Sequence, residues 1–271
     1  VHHMSWSTRM LEEGQTAQDD DDASTGWPVH EVGRNADFFD PKAGRLLQAG
    51  SSIVPSTLHL HSNGRDTTAR LDIGFKFHPK GYQPEYPRAR VGLGDGMNIN
   101  VMPNASNQIV EAYGVLQENT KIVTFEPHLH APGDRMCMEA IWGNDIQTIA
   151  CAGYDHNWLL AYAFDDDHAP LLPKGTVVHI VGFMDNTAAN TNVIDPRNWS
   201  GSGNRSVANM FIDLGIRVSM SDEQFEAEMA RRREVLKIGP NDNVIGCPLC
   251  NVGPKPGYVP APPATTSTSG G

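Results

Sequence analysis

The sequence predicts an all-β fold with one late helix. Short segments that alternate apolar and polar residues, or that are rich in β-branched residues, recur between residues 56 and 184. Clusters of Gly, Pro, Asn and Asp separate these segments, and no helical pattern lies between them. This spacing is typical of antiparallel sandwiches or barrels rather than of alternating β–α–β units.

Six segments have the composition expected of strands. They cover residues 56–62, 69–77, 96–102, 120–125, 147–154 and 175–184. The GxGxG run at 92–96 lies between two of them, but no helical pattern follows it. We therefore interpret it as a flexible turn and not as a nucleotide-binding loop.

The helix is predicted to begin at Ser221. Ser221 and Gln224 have the spacing of a capping box, and apolar or long side chains follow at helical spacing at Phe225, Met229, Arg232 and Leu236. The tail from residue 253 is rich in Pro and then in Ser, Thr and Gly. We expect that tail to be extended, either disordered or lying on a partner.

The charge of the chain excludes some partners. Lys and Arg number 21 against 32 Asp and Glu, so the net charge is -11, which argues against nucleic acid and against anionic membrane surfaces. No apolar run is long enough to span a bilayer. The chain opens on Val1 without a signal peptide, from which we expect that an upstream segment precedes it.

Two acidic runs have alternative interpretations. Residues 19–22 and 165–167 are consecutive aspartates, which could bind calcium because carboxylates are ligands for hard cations. Solvated loops are the interpretation we favour.

The four cysteines predict an oxidising compartment. Cys137 and Cys151 flank a turn near Asn144, so they could face each other across a hairpin as a disulfide or remain buried thiols. Cys247 and Cys250 form a CxxC, which suits a redox pair, half a zinc site or a local disulfide that pins the tail. Asn251 follows where covalent haem attachment requires His. We expect a periplasmic or secreted protein.

Histidine pairs are the strongest candidates for chemistry. In a strand, residues two apart point to the same face about 6.6 Å apart, so both imidazoles can reach one ion. Adjacent histidines share an ion only if the backbone bends or bulges. Ordinary structural histidines are the alternative. The pairs are His2-His3, His59-Leu60-His61 and His128-Leu129-His130.

A methionine near such a pair would indicate copper. Imidazole and thioether together suit both oxidation states of copper, whereas carboxylate-rich sites suit harder cations. Met210 lies in the strand-like segment SVANMFIDLGI and could lie opposite the strand that carries His128 and His130.

The order of five motifs resembles a known family. HH, LHxNG, PHLH, DNTAAN and SVANM follow one another as in the copper type II, ascorbate-dependent monooxygenases, which include peptidylglycine α-hydroxylating monooxygenase and dopamine β-monooxygenase. The resemblance is greatest to the bacterial branch and covers residues 1 to about 217. Each motif is short, and their common order carries the resemblance.

The resemblance implies two separate copper sites. An electron-transfer site would use His2, His3 and His61, and an oxygen-activating site would use His128, His130 and Met210. Three protein ligands leave a coordination position open, as a catalytic site requires. Five of the other six histidines would then be structural or lie on the surface: His59, His78, His156, His168 and His179.

The resemblance also implies the domain organisation. Residues 1–103 and 104–218 would each form an antiparallel jelly-roll sandwich, and 219–271 would form the helix and tail. Members of the family have several strands before their HH pair, so the first sandwich of this chain would be incomplete. An upstream segment or a partner subunit would complete it and cover its exposed edge.

The implied activity is hydroxylation of a C–H bond with O2 and ascorbate or another one-electron reductant. Peptide-processing members hold a substrate carboxylate with an Arg before the HxH pair and a Tyr after the Met strand. Glu126 and Leu214 occupy those neighbourhoods here, which favours an unknown small neutral or cationic substrate. The alternative is a non-catalytic sandwich subunit or accessory protein of a larger extracytoplasmic assembly.

Overall fold

The protein is mostly β, as the sequence predicts. The computed structural model describes residues 2–10, 27–34, 36–60, 64–89, 93–94, 99–203, 205 and 207–239. All pairings between strands within these residues are antiparallel. The strands form several sheets, consistent with a sandwich, and the jelly-roll connection stays a prediction.

The described elements are as follows: β1 (His3–Arg9), β2 (His30–Glu31), β3 (Ser52–His59), β4 (Leu93–Gly94), β5 (Asn100–Val101), β6 (Gln108–Val115), β7 (Asn119–Ile122), β8 (Thr124–Phe125), β9 (Pro127–Leu129), β10 (Gly133–Trp142), β11 (Asp145–Gly153), β12 (Tyr162–Ala163), β13 (Leu171–Leu172), β14 (Val177–Met184), β15 (Ser200–Gly201), β16 (Phe211–Asp213), β17 (Arg217–Met220) and α1 (Asp222–Val235).

The main core lies under one four-stranded sheet. Its strand order is β11-β10-β14-β6, and one of its faces buries Met136, Met138 and Ile180. Phe125 and Phe211, from β8 and β16, belong to the same buried cluster. Short strands outside the sheet therefore contribute to the same core. Among the short strands, β9 carries His128, and His130 follows it directly.

The N-terminal part forms a smaller sheet of order β2-β1-β3. β4 and β5 precede residue 104, yet they pair with β16 and β15 from the region after it. The predicted domain boundary near residue 104 is thus crossed by strand pairing within the described residues.

Most predicted strands are present, with one clear error. Residues 69–77 contain no strand, although Leu71, Ile73, Phe75 and Phe77 alternate with other residues as in a strand. A strand needs a hydrogen-bonded neighbour, and no strand of the described residues pairs with this segment. The ring of Phe75 instead lies against Trp27, at 5.3 Å between centroids.

Three further predictions need adjustment. Residues 120–125 are divided between β7 and β8. The predicted turn at 92–96 contains strand β4 at Leu93–Gly94, and its other residues lie outside the described part of the chain. In the segment 96–102 the strand is limited to β5, while 96–98 are not described.

The predicted helix and its capping box are confirmed. Ser221 is the N-cap of α1, its side chain accepts from the backbone N–H of Gln224, and the Gln224 side chain accepts from the Ser221 backbone. Phe225 and Arg232 face the interior. No helix in the described residues has the length and apolar character needed to cross a membrane. The predicted tail lies outside the described residues.

The predicted disulfide between Cys137 and Cys151 is confirmed. The two residues are directly opposite in the β10–β11 hairpin and their sulfurs are bonded. The hairpin turns through Gly143 and Asn144, and Gly143 takes the positive φ of 59° that a tight turn needs. Cys247 and Cys250 lie outside the described residues.

Replacing Cys137 and Cys151 with Ala together is expected to lower the free energy of unfolding by about 3 kcal/mol. The bond closes a loop with a sequence separation of 14, and a loop of that size restricts the unfolded chain by about this amount. Urea denaturation of the double variant and the oxidised wild type measures the difference. Equal urea midpoints for the two proteins would show that the β10–β11 hairpin is stable without the disulfide.

Candidate metal centre

Six histidine rings form one continuous histidine cluster at the junction of the small sheet and β9. The ring centroids of His3 and His59 are 3.9 Å apart, while the other neighbouring pairs are 5.2 to 6.0 Å apart. Neighbouring rings run in the order His59, His3, His128 and His130. The ring of His2 is next to that of His3, and the ring of His156 is next to that of His2.

The structure brings the two predicted ligand groups together. His3, from the predicted electron-transfer group, has its ring centroid 6.0 Å from that of His128, from the predicted oxygen-activating group. The resemblance implied two separate sites, whereas these rings are neighbours. His61, the third predicted ligand of the first group, lies outside the described residues.

Two members of the cluster were assigned structural roles from the sequence. His59 pairs directly with His3 across β1 and β3, and the His-x-His spacing at 59–61 was the signal for it. His156 has its ring centroid 5.2 Å from that of His2, although 154 residues separate them in the chain. Nothing local in the sequence indicates this second contact, because it depends on how the loop after β11 packs.

Strand pairing brings the chain next to Met210 against β9. β9 and β16 pair with Leu129 opposite Phe211 and His128 opposite Ile212. Met210 directly precedes β16 and His130 directly follows β9, so each lies one residue beyond the paired strands. The same register continued by one residue would put the thioether and the imidazole on one face.

His130 has one ring nitrogen engaged and one available. Its Nδ1 donates to the carbonyl oxygen of Ala208, 3.1 Å away, because a carbonyl can only accept. The opposite nitrogen, Nε2, is buried and has no hydrogen-bond partner within the described residues. A buried imidazole nitrogen without a partner is costly unless it binds something.

His128, like His130, is held through its Nδ1. Its Nδ1 is hydrogen-bonded to Oε1 of Glu31, whose carboxylate is buried. Glu126 lies nearby and is paired with Arg34, which also reaches Asp37 at 3.3 Å. Both candidate imidazoles therefore have Nδ1 occupied, which leaves Nε2 as the nitrogen for an ion.

Burial keeps the imidazoles of His3 and His130 neutral. It lowers the pKa of His3 to about 4 and that of His130 to about 3, with neighbouring imidazoles adding to the effect. Burial also raises the pKa of Glu126 to about 8, against the pull of Arg34 and aided by the nearby carboxylate of Glu31. Burial alone would raise the pKa of Glu31, but the hydrogen bond with His128, the charges of His128 and Arg34 and the hydrogen bond with Glu126 together outweigh burial and lower that pKa.

The donor set fits copper better than a harder ion. No three His, Cys, Asp or Glu side chains of the described residues are arranged to hold a metal by themselves. His128 and His130 add a thioether from Met210 to two imidazoles, and their ring centroids are 5.4 Å apart. Two imidazoles on one ion are expected about 5 to 6 Å apart, given metal–nitrogen bonds of about 2 Å.

A pocket of about 410 Å³ is lined by chain neighbours of the cluster but by none of its six histidines. Pro127, which lines it, directly precedes His128 in the chain. The other lining residues that matter here are aromatic or acidic: Tyr154, Trp158, Tyr162, Asp134 and Asp155. Its wall therefore combines aromatic faces with two carboxylates.

The acidic run at 165–167 is occupied by protein cations. Asp166 is paired with Lys121, Asp167 lies 2.7 Å from Arg231, and Asp165 is hydrogen-bonded to His168 at 3.1 Å. Asp165 and Asp166 are also exposed, which agrees with the solvated loop that we favour. The run at 19–22 lies outside the described residues.

Comparison with known proteins adds no assignment. No protein-family model matches the chain, and no curated protein matches it. The copper monooxygenase resemblance stays a prediction based on the order of the motifs.

Proposed function

We propose that this chain is a copper-dependent monooxygenase that hydroxylates a C–H bond of a small substrate, using O2 and ascorbate or another one-electron reductant. The observation that carries the proposal is the state of His130. Its Nδ1 is fixed by a carbonyl, and its buried Nε2 has no hydrogen-bond partner within the described residues.

His128, His130 and Met210 would hold the reactive copper. Imidazoles that bind a metal through one nitrogen usually donate the other N–H to a carboxylate or a backbone carbonyl, as His128 and His130 do here. The thioether of Met210 favours the reduced ion. Copper bound there would supply the one-electron chemistry by which O2 is activated.

The histidines of the small sheet would serve electron transfer. His2 and His3 are both buried, and His3 adjoins His128. A second copper held by His2, His3 and His61 would therefore lie near the first. The chain supplies the imidazole of His3 in neutral form, since burial lowers its pKa to about 4.

The pocket lined by chain neighbours of the cluster supports a neutral or cationic substrate. Asp134 and Asp155 line it, and the faces of Tyr154 and Trp158 can attract a cation. Glu126 does not carry this preference, because it is buried and paired with Arg34 rather than facing the pocket. We keep the expectation of a neutral or cationic substrate, but the carboxylates that support it are those of Asp134 and Asp155 rather than that of Glu126.

One observation favours the alternative of a non-catalytic subunit or accessory protein. β3 exposes Ile53 and Leu58, and Leu60 and Phe77 nearby are more than half exposed. A partner subunit would cover such apolar side chains. The disulfide supports an extracytoplasmic, periplasmic or secreted location for either function.

Metal analysis after reconstitution with Cu(I) tests the proposal. The wild type is expected to bind two coppers per chain, and Met210→Ile is expected to bind one and to lose hydroxylation. The thioether is the only ligand changed, and the aliphatic side chain preserves its volume.

Met102→Ile is the matched control, since Met102 is half exposed and lies outside the cluster. It should bind copper like the wild type. If the wild type binds no copper, the alternative of a non-catalytic subunit or accessory protein remains. If the Met210→Ile variant is active, the reactive copper lies elsewhere.

A further inference from the structure

We infer that Glu31 is a positioning residue that fixes the imidazole of His128 and joins the two histidine groups of the cluster. The copper part of this inference rests on the proposed function. The contact between the carboxylate and the imidazole stands on its own and can be tested in the metal-free protein.

Glu31 lies between the two groups. In the small sheet it is directly opposite His3, so the two side chains share a face. It also contacts His128, which is 97 residues further along the chain. With 1% of its surface exposed, Glu31 is among the most buried charged residues described. One carboxylate thus touches the second histidine group and neighbours the first.

The contact determines which nitrogen of His128 carries the proton. An ionised carboxylate can only accept, so Nδ1 of His128 must donate, and in the neutral ring Nε2 then keeps its lone pair. Without a fixed acceptor the ring could exchange tautomers or turn over. A carboxylate at this place therefore leaves Nε2 of His128 as the ring nitrogen that can bind an ion, as in His130.

The segment that carries Glu31 is held firmly against the larger part of the protein. The backbone N–H of Leu159 donates to the oxygen of Val32 at 2.9 Å, and that of Val32 donates to the oxygen of His2 at 2.7 Å. Gly33 has a φ of 96°, and a Cβ there would lie 2.8 Å from the oxygen of Leu159. Only glycine fits this approach without displacement, so the turn fixes the position of Glu31.

Replacing Glu31 with Ala tests the inference by two measurements. In the metal-free protein, long-range ¹H–¹⁵N NMR of His128 should change from the Nδ1–H form to a mixture with Nε2–H. In a competition assay with a Cu(I) chelator, affinity should fall about 10- to 100-fold, as is typical when a partner of a ligating imidazole is removed.

Glu139→Ala is the matched control. Glu139 is hydrogen-bonded to Nδ1 of His179 at 2.9 Å, so the variant removes the same kind of contact outside the cluster. Copper affinity and the His128 tautomer should then equal those of the wild type. Equal losses in Glu31→Ala and Glu139→Ala would mean general destabilisation and would overturn the inference.

Glu31→Gln provides a second test of the inference if Glu31→Ala does not fold. An amide of the same shape can either accept from Nδ1–H or donate to Nδ1, so a tautomer mixture and a smaller loss of affinity are expected. An unchanged tautomer together with unchanged affinity would overturn the inference. A wild type that binds no copper but whose His128 tautomer depends on Glu31 would refute the proposed function and leave the positioning role intact.

Discussion

Replacing Lys121 with Ala is expected to lower the free energy of unfolding by about 3–5 kcal/mol, the cost of removing one partner from a buried ion pair. Nζ of Lys121 lies 2.7 Å from Oδ2 of Asp40 and also contacts Asp166. Lys121 and Asp40 are almost fully buried. The variant would leave the Asp40 charge in the interior without a cation.

Urea denaturation measures this loss, with Lys174→Ala as the control. Lys174 is exposed, and its replacement should change the free energy by less than about 0.5 kcal/mol. Adding Asp40→Asn to Lys121→Ala should restore part of the stability, because no buried charge is then left unpaired. A loss below about 1 kcal/mol in Lys121→Ala would show that water reaches Asp40.

Acidification of the metal-free protein is the second large effect expected. In the unfolded chain, His3 and His130 become protonated as the pH falls below 6.5. In the folded protein they stay neutral until the pH reaches their lowered pKa values of about 4 and 3. The unfolded state then binds more protons, so stability falls as the pH falls, by about 1.4 kcal/mol per pH unit for each group.

Glu126 contributes with the opposite sign. Its folded pKa is raised to about 8, so its contribution is fully present below the unfolded value of 4.5 and is lost as the pH rises to 8. Together the three groups predict a maximum of stability near pH 6.5. From there to pH 4 the sum is a loss of about 4 kcal/mol, since Glu126 offsets one histidine above pH 4.5.

Urea denaturation at a series of pH values checks this profile. His130→Gln should reduce the acid slope, whereas His168→Gln, at a half-exposed site outside the cluster, should leave it unchanged. Stability that stays constant between pH 6.5 and 4 would contradict the burial of His3 and His130 as neutral imidazoles.

The features predicted correctly from the sequence are those that form between residues close together in the chain. The capping box requires only residues 221 and 224, and the disulfide only a hairpin of two adjacent strands. The segment 69–77 shows where such reasoning stops. Its alternation is the same as in a strand, but whether a strand forms depends on a partner that alternation does not specify.

The sequence by itself determined the β class and the helix, and it supplied the disulfide and the residue types suited to copper as candidates. Only the tertiary structure joined His59 and His156 to the cluster and placed the carboxylate of Glu31 between its two halves. The physical reason is that periodicity specifies which face a side chain occupies on its own element. The packing of distant elements specifies what that face meets.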